Sequence, residues 1–445
     1  LFLLGLLYLV ADYDNPIRLA LRFNIHRAMS FIAGPLITGG GGVIVEFPID
    51  WASDVAIILK TGYGTQERAA AWLRALPAEM NPHNVLVIGD FERSIVIEGN
   101  RKAEPLEFRV HDVVADVLRH DHDTPMGPRK VLSSQRGDKY RTLTAAVAAG
   151  EDELARNLSA AFGWELDAMK FIPGLDLAHR TMPHKKWFIL VDDDTYLIQP
   201  SLDAVLGSFD SSRPYYLGNA IGDYRQRFAH GGSSVILSHA AMNNLFSTDG
   251  TRAATTSARY SLAAARRASL TEIWGDRLLA SALLRLGIHI DEDSSRFFNG
   301  EQPWATRVRK DRFCAPLATF HRLSAGEMVD VGRVFGSRTT GELVMWIDLW
   351  DIYGAPPFEL FETRPLRREW DHVGPLDEHT TTIEDVPMAE ACLRRCEADG
   401  ACLAWTWEER RAVCHLSPWI TVGREAPEKV SGLHIGRVTE LAGVC

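Results

Sequence analysis

Two patterns of hydrophobic residues alternate along the first half of the chain: short continuous apolar runs, and apolar residues at helical spacing. Short runs rich in β-branched residues at 54–62 (DVAIILKTG), 84–92 (NVLVIGDFE) and 186–191 (KWFILV) are typical of buried strands. Between them, residues 66–77 carry Ala, Leu and Trp at helical spacing and end at Pro77, and the Ala- and Leu-rich stretch 140–171 predicts two helices. Strands that alternate with helices predict an α/β layered fold with a mostly parallel sheet.

The third predicted strand runs directly into three carboxylates, Asp192, Asp193 and Asp194. Adjacent carboxylates repel one another and resist burial, so a positive partner must hold them there. In an extended segment Asp192 and Asp194 share one face, and the carboxyl edge of such a sheet is where ligands bind. Two oxygen ligands there suit Mg²⁺ or Mn²⁺ bridged to a diphosphate. A solvated acidic turn is the alternative, whereas a calcium loop is disfavoured because Leu197 stands where that loop needs Gly.

Length and charge narrow the class of protein. At 445 residues with 46% hydrophobic residues, the chain exceeds one ordinary domain, and its net charge of -10 disfavours nucleic acid as a partner. We interpret the apolar run LFLLGLLYLV as the tail end of a signal anchor (residues 1–12), followed by a stem over 13–51 that contains four glycines at 39–42. An ordinary buried helix or strand is the alternative for this run.

The cysteines mark a separate C-terminal module. Five of the six lie in the last 54 residues, spaced as C-x3-C-x5-C-x11-C from Cys392 to Cys414, with Cys445 at the end and Cys314 alone in the body. This pattern favours a disulfide-stapled domain in an oxidising compartment over a zinc site, because the C-x2-C pairs typical of zinc are absent. The sequon at Asn157 would be usable in that compartment.

The order of the motifs resembles a known family. After the aspartates come YYLGNA (215–220), FAHGGSSVILS (228–238), WGDRLLASALLRLGIHI (274–290) and FCAPLATFHRL (313–323). This set is similar to the Fringe and core 1 β1,3-galactosyltransferase group of inverting glycosyltransferases. The amino-acid sequence around 35–65 looks most like the fungal branch of that group. The resemblance implies a GT-A type, Rossmann-like nucleotide-sugar-binding fold, with the catalytic domain over 52–332.

Site residues follow from the resemblance, position by position. It implies that Asp192 and Asp194 engage the nucleotide sugar and a metal, and that His321 completes the metal site, which favours Mn²⁺ over Mg²⁺. It assigns Asp276 as the general base, and a position near a helix N-terminus favours the ionised form. Trp274 and Trp304 are left out of the site because core packing is the more frequent use of Trp. The expected nucleotide contacts are Lys60, Thr61, Asp192, Asp193, Gly231 and Gly232.

The implied activity is inverting transfer of a hexose or N-acetylhexosamine from a UDP-sugar to a sugar hydroxyl, with a β1,3 linkage. The partners would be a glycan or glycoprotein acceptor and a membrane, through the N-terminal anchor. The implied location is the Golgi or another secretory membrane, with a lumenal catalytic domain or a secreted form after cleavage. Family members usually carry an acidic residue where this chain has Gly275. Any role of that acidic residue is therefore lost in this chain or supplied by Glu272.

The tail resembles a PAN/Apple-like module of α+β type over 383–445, preceded by a linker or extension over 333–382. That resemblance implies Cys392–Cys414 and Cys396–Cys402 disulfides, and leaves Cys314 and Cys445 either free or joined to each other. Two other functions stay open. One is a catalytically silent binding module for carbohydrate or protein. The other is a metal-dependent phosphohydrolase that uses the aspartates with His120 and His122.

Overall fold

A computed structural model describes most of the chain. The described residues are 15–33, 44–77, 80–98, 105–119, 128–247, 260–338 and 341–445. The predicted anchor segment, the glycines at 39–42 and the histidines His120 and His122 lie outside these ranges. None of the helices in the described ranges combines the length and apolarity needed to cross a bilayer.

A seven-stranded mixed sheet forms the centre of the described structure, in the order β3-β4-β2-β1-β5-β10-β7. Strands β4, β2, β1 and β5 pair in parallel, while β3 and β10 run antiparallel to their neighbours. The predicted α/β fold is confirmed, and the antiparallel strands are what the sequence did not predict. The strands of this sheet are β1 Val55–Lys60, β2 Val85–Gly89, β3 Arg93–Ile97, β4 Leu106–Asp112, β5 Trp187–Asp192, β7 Tyr216–Gly218 and β10 Val235–Ser238.

Helices cover both faces of this sheet. The 30-residue helix α6 packs along one face through Phe171, Ile172 and Leu175, and Gly174 lets it approach closely, since a Cβ there would lie 2.2 Å from Ile88 Cδ1. The two helices predicted within 140–171 are present, and both are longer. The helices of the body are α1 Pro16–Ala33, α2 Trp51–Asp54, α3 Gln66–Arg74, α4 Val113–Arg119, α5 Pro128–Ala148, α6 Asp152–Thr181, α7 Gln199–Leu206, α8 His239–Phe246, α9 Leu262–Ser269, α10 Gly275–Arg285, α11 Ala325–Phe335, α12 Leu349–Ile352 and α13 Phe358–Thr363.

Short two-stranded ladders complete the body. The pair β6–β12 brings the segment before His321 against the segment after the aspartates, and β11 pairs with β17 near the C-terminal module. These short strands are β6 Tyr196–Leu197, β8 Ala220–Ile221, β9 Phe228–Ala229, β11 Val308–Arg309, β12 Thr319–Phe320 and β17 Trp419–Ile420.

The C-terminal module is an antiparallel sheet with one helix packed on it. Its sheet has the order β13-β18-β15-β16-β14 as far as the structure describes it. Because β13 pairs with β18, the module's sheet begins at Arg367, upstream of the boundary at 383 that the sequence predicts. Its elements are β13 Arg367–Asp371, β14 Thr381–Ile383, α14 Ala389–Ala398, β15 Ala404–Glu408, β16 Val413–Ser417, β18 Arg424–Leu433 and α15 Ile435–Ala442.

All six cysteines are paired. The predicted Cys392–Cys414 and Cys396–Cys402 disulfides are confirmed, and both lie within the module. Cys314 and Cys445 are joined to each other, so the C-terminal module is bonded to the body across 131 positions. The region predicted as a linker is also built into the body, because Trp346, Trp350 and Phe361 are buried in its main core.

Candidate active site

A cleft of about 470 Å³ opens at the carboxyl edge of the central sheet. Strands β1 and β5 end there side by side, with Lys60 opposite Asp192 in the register. Both strands are almost wholly buried, so their last residues are the first able to turn polar side chains into the cleft. The N-terminus of α10 and the turn at Gly231–Ser233 close the other side. The sheet therefore presents a polar site where the sequence predicts one.

Each aspartate of the triplet has a cationic neighbour, and two of the three share one. Lys60 Nζ lies 3.0 Å from Asp192 Oδ1. Asp193 turns the other way, accepts a hydrogen bond of 2.7 Å from Thr61 Oγ1 and lies 2.9 Å from Arg68 Nη2. The same guanidinium reaches Asp194 Oδ2 at 3.2 Å. Lys60 and Arg68 are thus the positive partners that an acidic triplet at a strand end requires.

A possible metal site is formed by Asp192, Asp194 and His321. One ligand atom from each residue lies within 4.8 Å of the others. Gly232 makes room for the imidazole, because a Cβ at this position would lie 2.2 Å from His321 Nε2. The Nδ1 atom of His321 lies 3.4 Å from the carbonyl oxygen of Gly300, which leaves Nε2 facing Asp194 at 3.3 Å. Two carboxylates and one imidazole fit Mn²⁺ better than Mg²⁺, which prefers oxygen alone.

The cleft carries an excess of negative charge. Among the described residues that line it are six carboxylates and three basic side chains, a formal excess of three negative charges. Burial raises the pKa of Asp192, and burial raises the pKa of Asp193 to about 6. Burial acts in the same direction on Asp194, but the hydrogen bond and charge of His321, together with the charges of Arg68 and Lys60, outweigh it and lower the pKa of that carboxyl. A bound cation would offset this excess. The lining carboxylates are Asp90, Asp167, Asp192, Asp193, Asp194 and Asp276, and the basic residues are Lys60, Arg68 and Lys170.

Asp276 lies in the first turn of α10 and faces the glycine turn. Its Oδ2 accepts a 3.0 Å hydrogen bond from the amide of Gly231. Gly275 permits a close approach to α6, because a Cβ there would lie 2.1 Å from the Phe171 ring. Burial raises the pKa of Asp276 in spite of the hydrogen bonds from the Gly231 and Arg277 amides. Desolvation therefore outweighs these hydrogen bonds, and the position near a helix N-terminus does not by itself set the pKa of this carboxyl.

Glu272 does not replace the acidic residue that the family usually carries next to Asp276. Its carboxylate pairs with Arg277 at 3.2 Å, on the side of α10 that faces a second cavity. Asp276 is thus the acidic residue that α10 contributes to the cleft within the described structure.

Helix α6 supplies residues that sequence reasoning missed. Asp167 lies 2.6 Å from Lys60 Nζ, and Phe171 has its ring centroid 5.0 Å from the same nitrogen. One turn away, Lys170 forms a fully buried 2.8 Å ion pair with Asp90 and donates a 2.8 Å hydrogen bond to the carbonyl of Thr61. Asp167, Lys170 and Phe171 have i, i+3 and i+4 spacing, which places them on one face of a helix. Two charged residues on the same face of an otherwise apolar helix were the signal in the sequence that could have identified them.

Two exposed tryptophans line the same cleft. Trp164 on α6 and Trp274 before α10 are each 58% exposed. Trp274 was left out of the predicted site on the expectation that it packs in the core. That expectation is wrong, because its indole is accessible next to Asp276. Trp304 instead lies against the C-terminal module, with the Arg424 guanidinium 4.1 Å from its ring centroid.

Comparison with protein families agrees with this geometry. Residues 174–271 match the family model described as Fringe-like, and residues 372–430 match the model of the PAN domain. The first match includes the aspartate triplet and the glycine turn, and it ends just before Asp276. No curated protein matches the chain closely enough to count as a relative. The chain thus contains a region similar to Fringe-like glycosyltransferases, followed by a C-terminal PAN domain.

Proposed function

We propose that this protein is an inverting, metal-dependent glycosyltransferase. It moves a hexose or N-acetylhexosamine from a UDP-sugar to a hydroxyl of a glycan or glycoprotein acceptor, with a β1,3 linkage. The observation that carries the proposal is the juxtaposition, in one cleft, of the Asp192–Asp194–His321 cluster and the buried carboxylate of Asp276. These are the two functional groups that inverting transfer needs: a site for a charge-neutralising cation and a base.

The charge of the cleft supports dependence on a metal. A nucleoside diphosphate is itself anionic, and a cleft with a formal excess of three negative charges would repel it. Bound at Asp192, Asp194 and His321, Mn²⁺ would supply the charge that stabilises the diphosphate as it leaves. Lys60 adds a fixed positive charge beside Asp192. Thr61, Asp193, Gly231 and Gly232 line the same cleft and are the proposed nucleotide contacts.

Asp276 is proposed as the general base. Its carboxylate takes the proton of the acceptor hydroxyl, and the oxygen then attacks the anomeric carbon on the face opposite the diphosphate. The bond from that carbon to the diphosphate oxygen breaks, and UDP departs with the electron pair. A single displacement inverts the anomer. Burial raises the pKa of Asp276, which strengthens it as a base, while the Gly231 amide fixes its orientation.

We place the protein in the lumen of the secretory pathway. Three disulfides join all six cysteines, and such bonds persist in oxidising compartments. A membrane anchor upstream of residue 15 belongs to the same proposal and rests on the apolar run at residues 1–10 alone.

A donor panel tests the proposed function. UDP release is measured for several UDP-sugars with Mn²⁺, first without an acceptor and then with simple galactosides and glycans, for the wild type and Asp194→Ala. We expect Mn²⁺-dependent turnover of one donor, lost in the variant, and a β-anomeric product by NMR. If neither UDP nor Mn²⁺ binds, the aspartates are structural and the protein is a binding module on a transferase scaffold.

A further inference from the structure

One segment of the body lies between the proposed metal site and the PAN domain. We call residues 299–309 the bridging segment. It comes from the loop that precedes β11 and contacts His321 at one end and the PAN domain at the other. Among the described residues that line the cleft, none belongs to the PAN domain, so a segment of the body is needed to connect that domain with the chemistry.

The first half of the bridging segment holds His321 in place. The carbonyl of Glu301 accepts a 3.1 Å hydrogen bond from the amide of His321, and the carbonyl of Gly300 faces its Nδ1. Asn299 stiffens this loop, because its side-chain amide donates 2.9 Å hydrogen bonds to the carbonyl of Glu301 and to Thr306 Oγ1. A carbonyl on one ring nitrogen fixes the tautomer and the orientation of the other, which is the usual support of a histidine ligand.

The second half of the bridging segment is held by the PAN domain. Arg307 is the main contact: it forms a 2.8 Å ion pair with Asp377, donates a 2.9 Å hydrogen bond to the Pro375 carbonyl, and lies 4.8 Å from the centroid of the Trp419 ring. Two backbone connections accompany it. The amide of Gly423 donates to the Trp304 carbonyl at 3.0 Å, and strand β11 pairs with β17.

A covalent bond secures the same interface. Cys314 follows the bridging segment by five residues, and its disulfide to Cys445 ties the end of helix α15 to the body. The two domains also share one hydrophobic core, which includes Phe313 and Trp346 from the body and Ile420 and Val438 from the PAN domain. The PAN domain is thus fixed on the body, and it is not joined by a flexible tether.

We propose that the PAN domain is a positioning element of the metal site. Arg307 of the bridging segment is the key contact through which it acts. By holding residues 304–309, it fixes residues 299–301, and these orient His321 toward Asp194. The inference rests on the proposed function, because it assumes that His321 is a metal ligand. It gives the PAN domain a role inside the transferase, beside any ligand that the domain binds on its own surface.

The test is Mn²⁺ binding by the full chain, measured by electron paramagnetic resonance of the free ion, with Mg²⁺ as competitor. The variants are Arg307→Ala, the milder Asp377→Asn, and His321→Ala as reference. Arg410→Ala is the matched control, since it removes the same charge from an exposed PAN ion pair with Glu428. Melting temperatures show that each variant is folded. For Arg307→Ala we expect Mn²⁺ affinity about tenfold lower, in the range seen for residues that support metal ligands.

The ratio of Mn²⁺ to Mg²⁺ affinity separates positioning from general loosening of the fold. An imidazole ligand favours Mn²⁺ over Mg²⁺, so displacement of His321 should lower this ratio. In Arg307→Ala and Asp377→Asn the ratio should therefore move toward the value measured for His321→Ala. In Arg410→Ala it should stay at the wild-type value. If both interface variants keep the wild-type affinity and ratio while His321→Ala loses them, the inference is overturned and the proposed function stands. If His321→Ala itself binds Mn²⁺ as the wild type does, the proposed metal site is wrong, and the inference is wrong with it.

Discussion

The active-site cleft and the PAN sheet both hold a cluster of charged side chains, but they differ in how those charges are neutralised. In the PAN domain, Asp371 and Glu408 share Lys429 at 3.0 and 3.3 Å, and Arg411 adds a second cation on Glu408 at 3.1 Å. Two carboxylates thus meet two cations. In the cleft, six carboxylates meet three basic side chains within the described structure, and three of the carboxylates are adjacent in sequence.

This difference separates a structural charge cluster from one prepared for a ligand. A balanced network is satisfied by its own members and adds rigidity to the sheet. An unbalanced one at a cleft gains stability when a cation arrives. At Asp193, burial is the main cause of the raised pKa, and the neighbouring charge of Asp194 adds to it.

The largest effect is expected for Asp276→Asn. Asparagine keeps the size and the hydrogen bond from the Gly231 amide but cannot accept the acceptor's proton. We expect kcat to fall by about 10²–10⁴-fold, the usual contribution of a general base. Steady-state kinetics at saturating donor and acceptor measure it, while Mn²⁺ affinity should stay within about twofold. An unchanged kcat would remove Asp276 from the mechanism.

Lys170→Met should destabilise the fold strongly. Lys170 and Asp90 are both buried, so removal of the lysine leaves an uncompensated charge beneath the cleft. The expected loss is about 3–5 kcal/mol in the free energy of unfolding, measured with guanidinium chloride. Lys429→Met in the PAN cluster is the matched comparison, and its partly exposed pair predicts a loss of about 1 kcal/mol. Equal losses would contradict the difference in burial.

The stability of the protein should fall as the solution is acidified, in part through His372. Burial lowers the pKa of this PAN-domain histidine to about 4, below the 6.5 of an unperturbed one. Below pH 6.5 this imidazole is protonated in the unfolded chain, whereas in the folded chain it stays neutral until about pH 4. The free energy of unfolding therefore decreases as the pH falls from 6.5 to about 4. The contribution is on the order of 1–3 kcal/mol.

Denaturant melts between pH 4 and pH 7 measure this effect. His372→Gln should flatten the dependence, whereas His379→Gln, at an exposed site, should not. A wild-type slope that survives in His372→Gln would assign the effect to other groups.

The smallest effect is expected at Trp274. Its exposed indole lies beside Asp276, where an acceptor sugar would stack. Trp274→Ala should raise the KM for the acceptor about tenfold, a loss of about 1.4 kcal/mol, with the KM for the donor unchanged. Trp274→Phe should restore most of the acceptor affinity. A change in donor KM alone would place the indole at the nucleotide instead.

The sequence predicts what is local or ordered along the chain. The strand that ends in three aspartates, the glycine turn, Asp276 and His321 were all predicted and lie in one cleft. The pairing of Lys60 with Asp167 was not predicted, because it joins residues 107 positions apart and depends on how α6 crosses the sheet. The burial of Trp346, Trp350 and Phe361 was missed for a similar reason, because they pack in the main core against residues that are distant in the sequence.

A bound cation should neutralise the cleft and so allow a diphosphate to bind tightly. Isothermal titration of UDP into the full chain, in Mn²⁺ and in EDTA, measures this dependence, with Asp194→Asn in parallel. We expect UDP binding that is at least about tenfold tighter with Mn²⁺ in the wild type, and no such gain in the variant. Equal affinity for UDP with and without metal would rule out a metal at Asp192, Asp194 and His321 as the partner of the diphosphate.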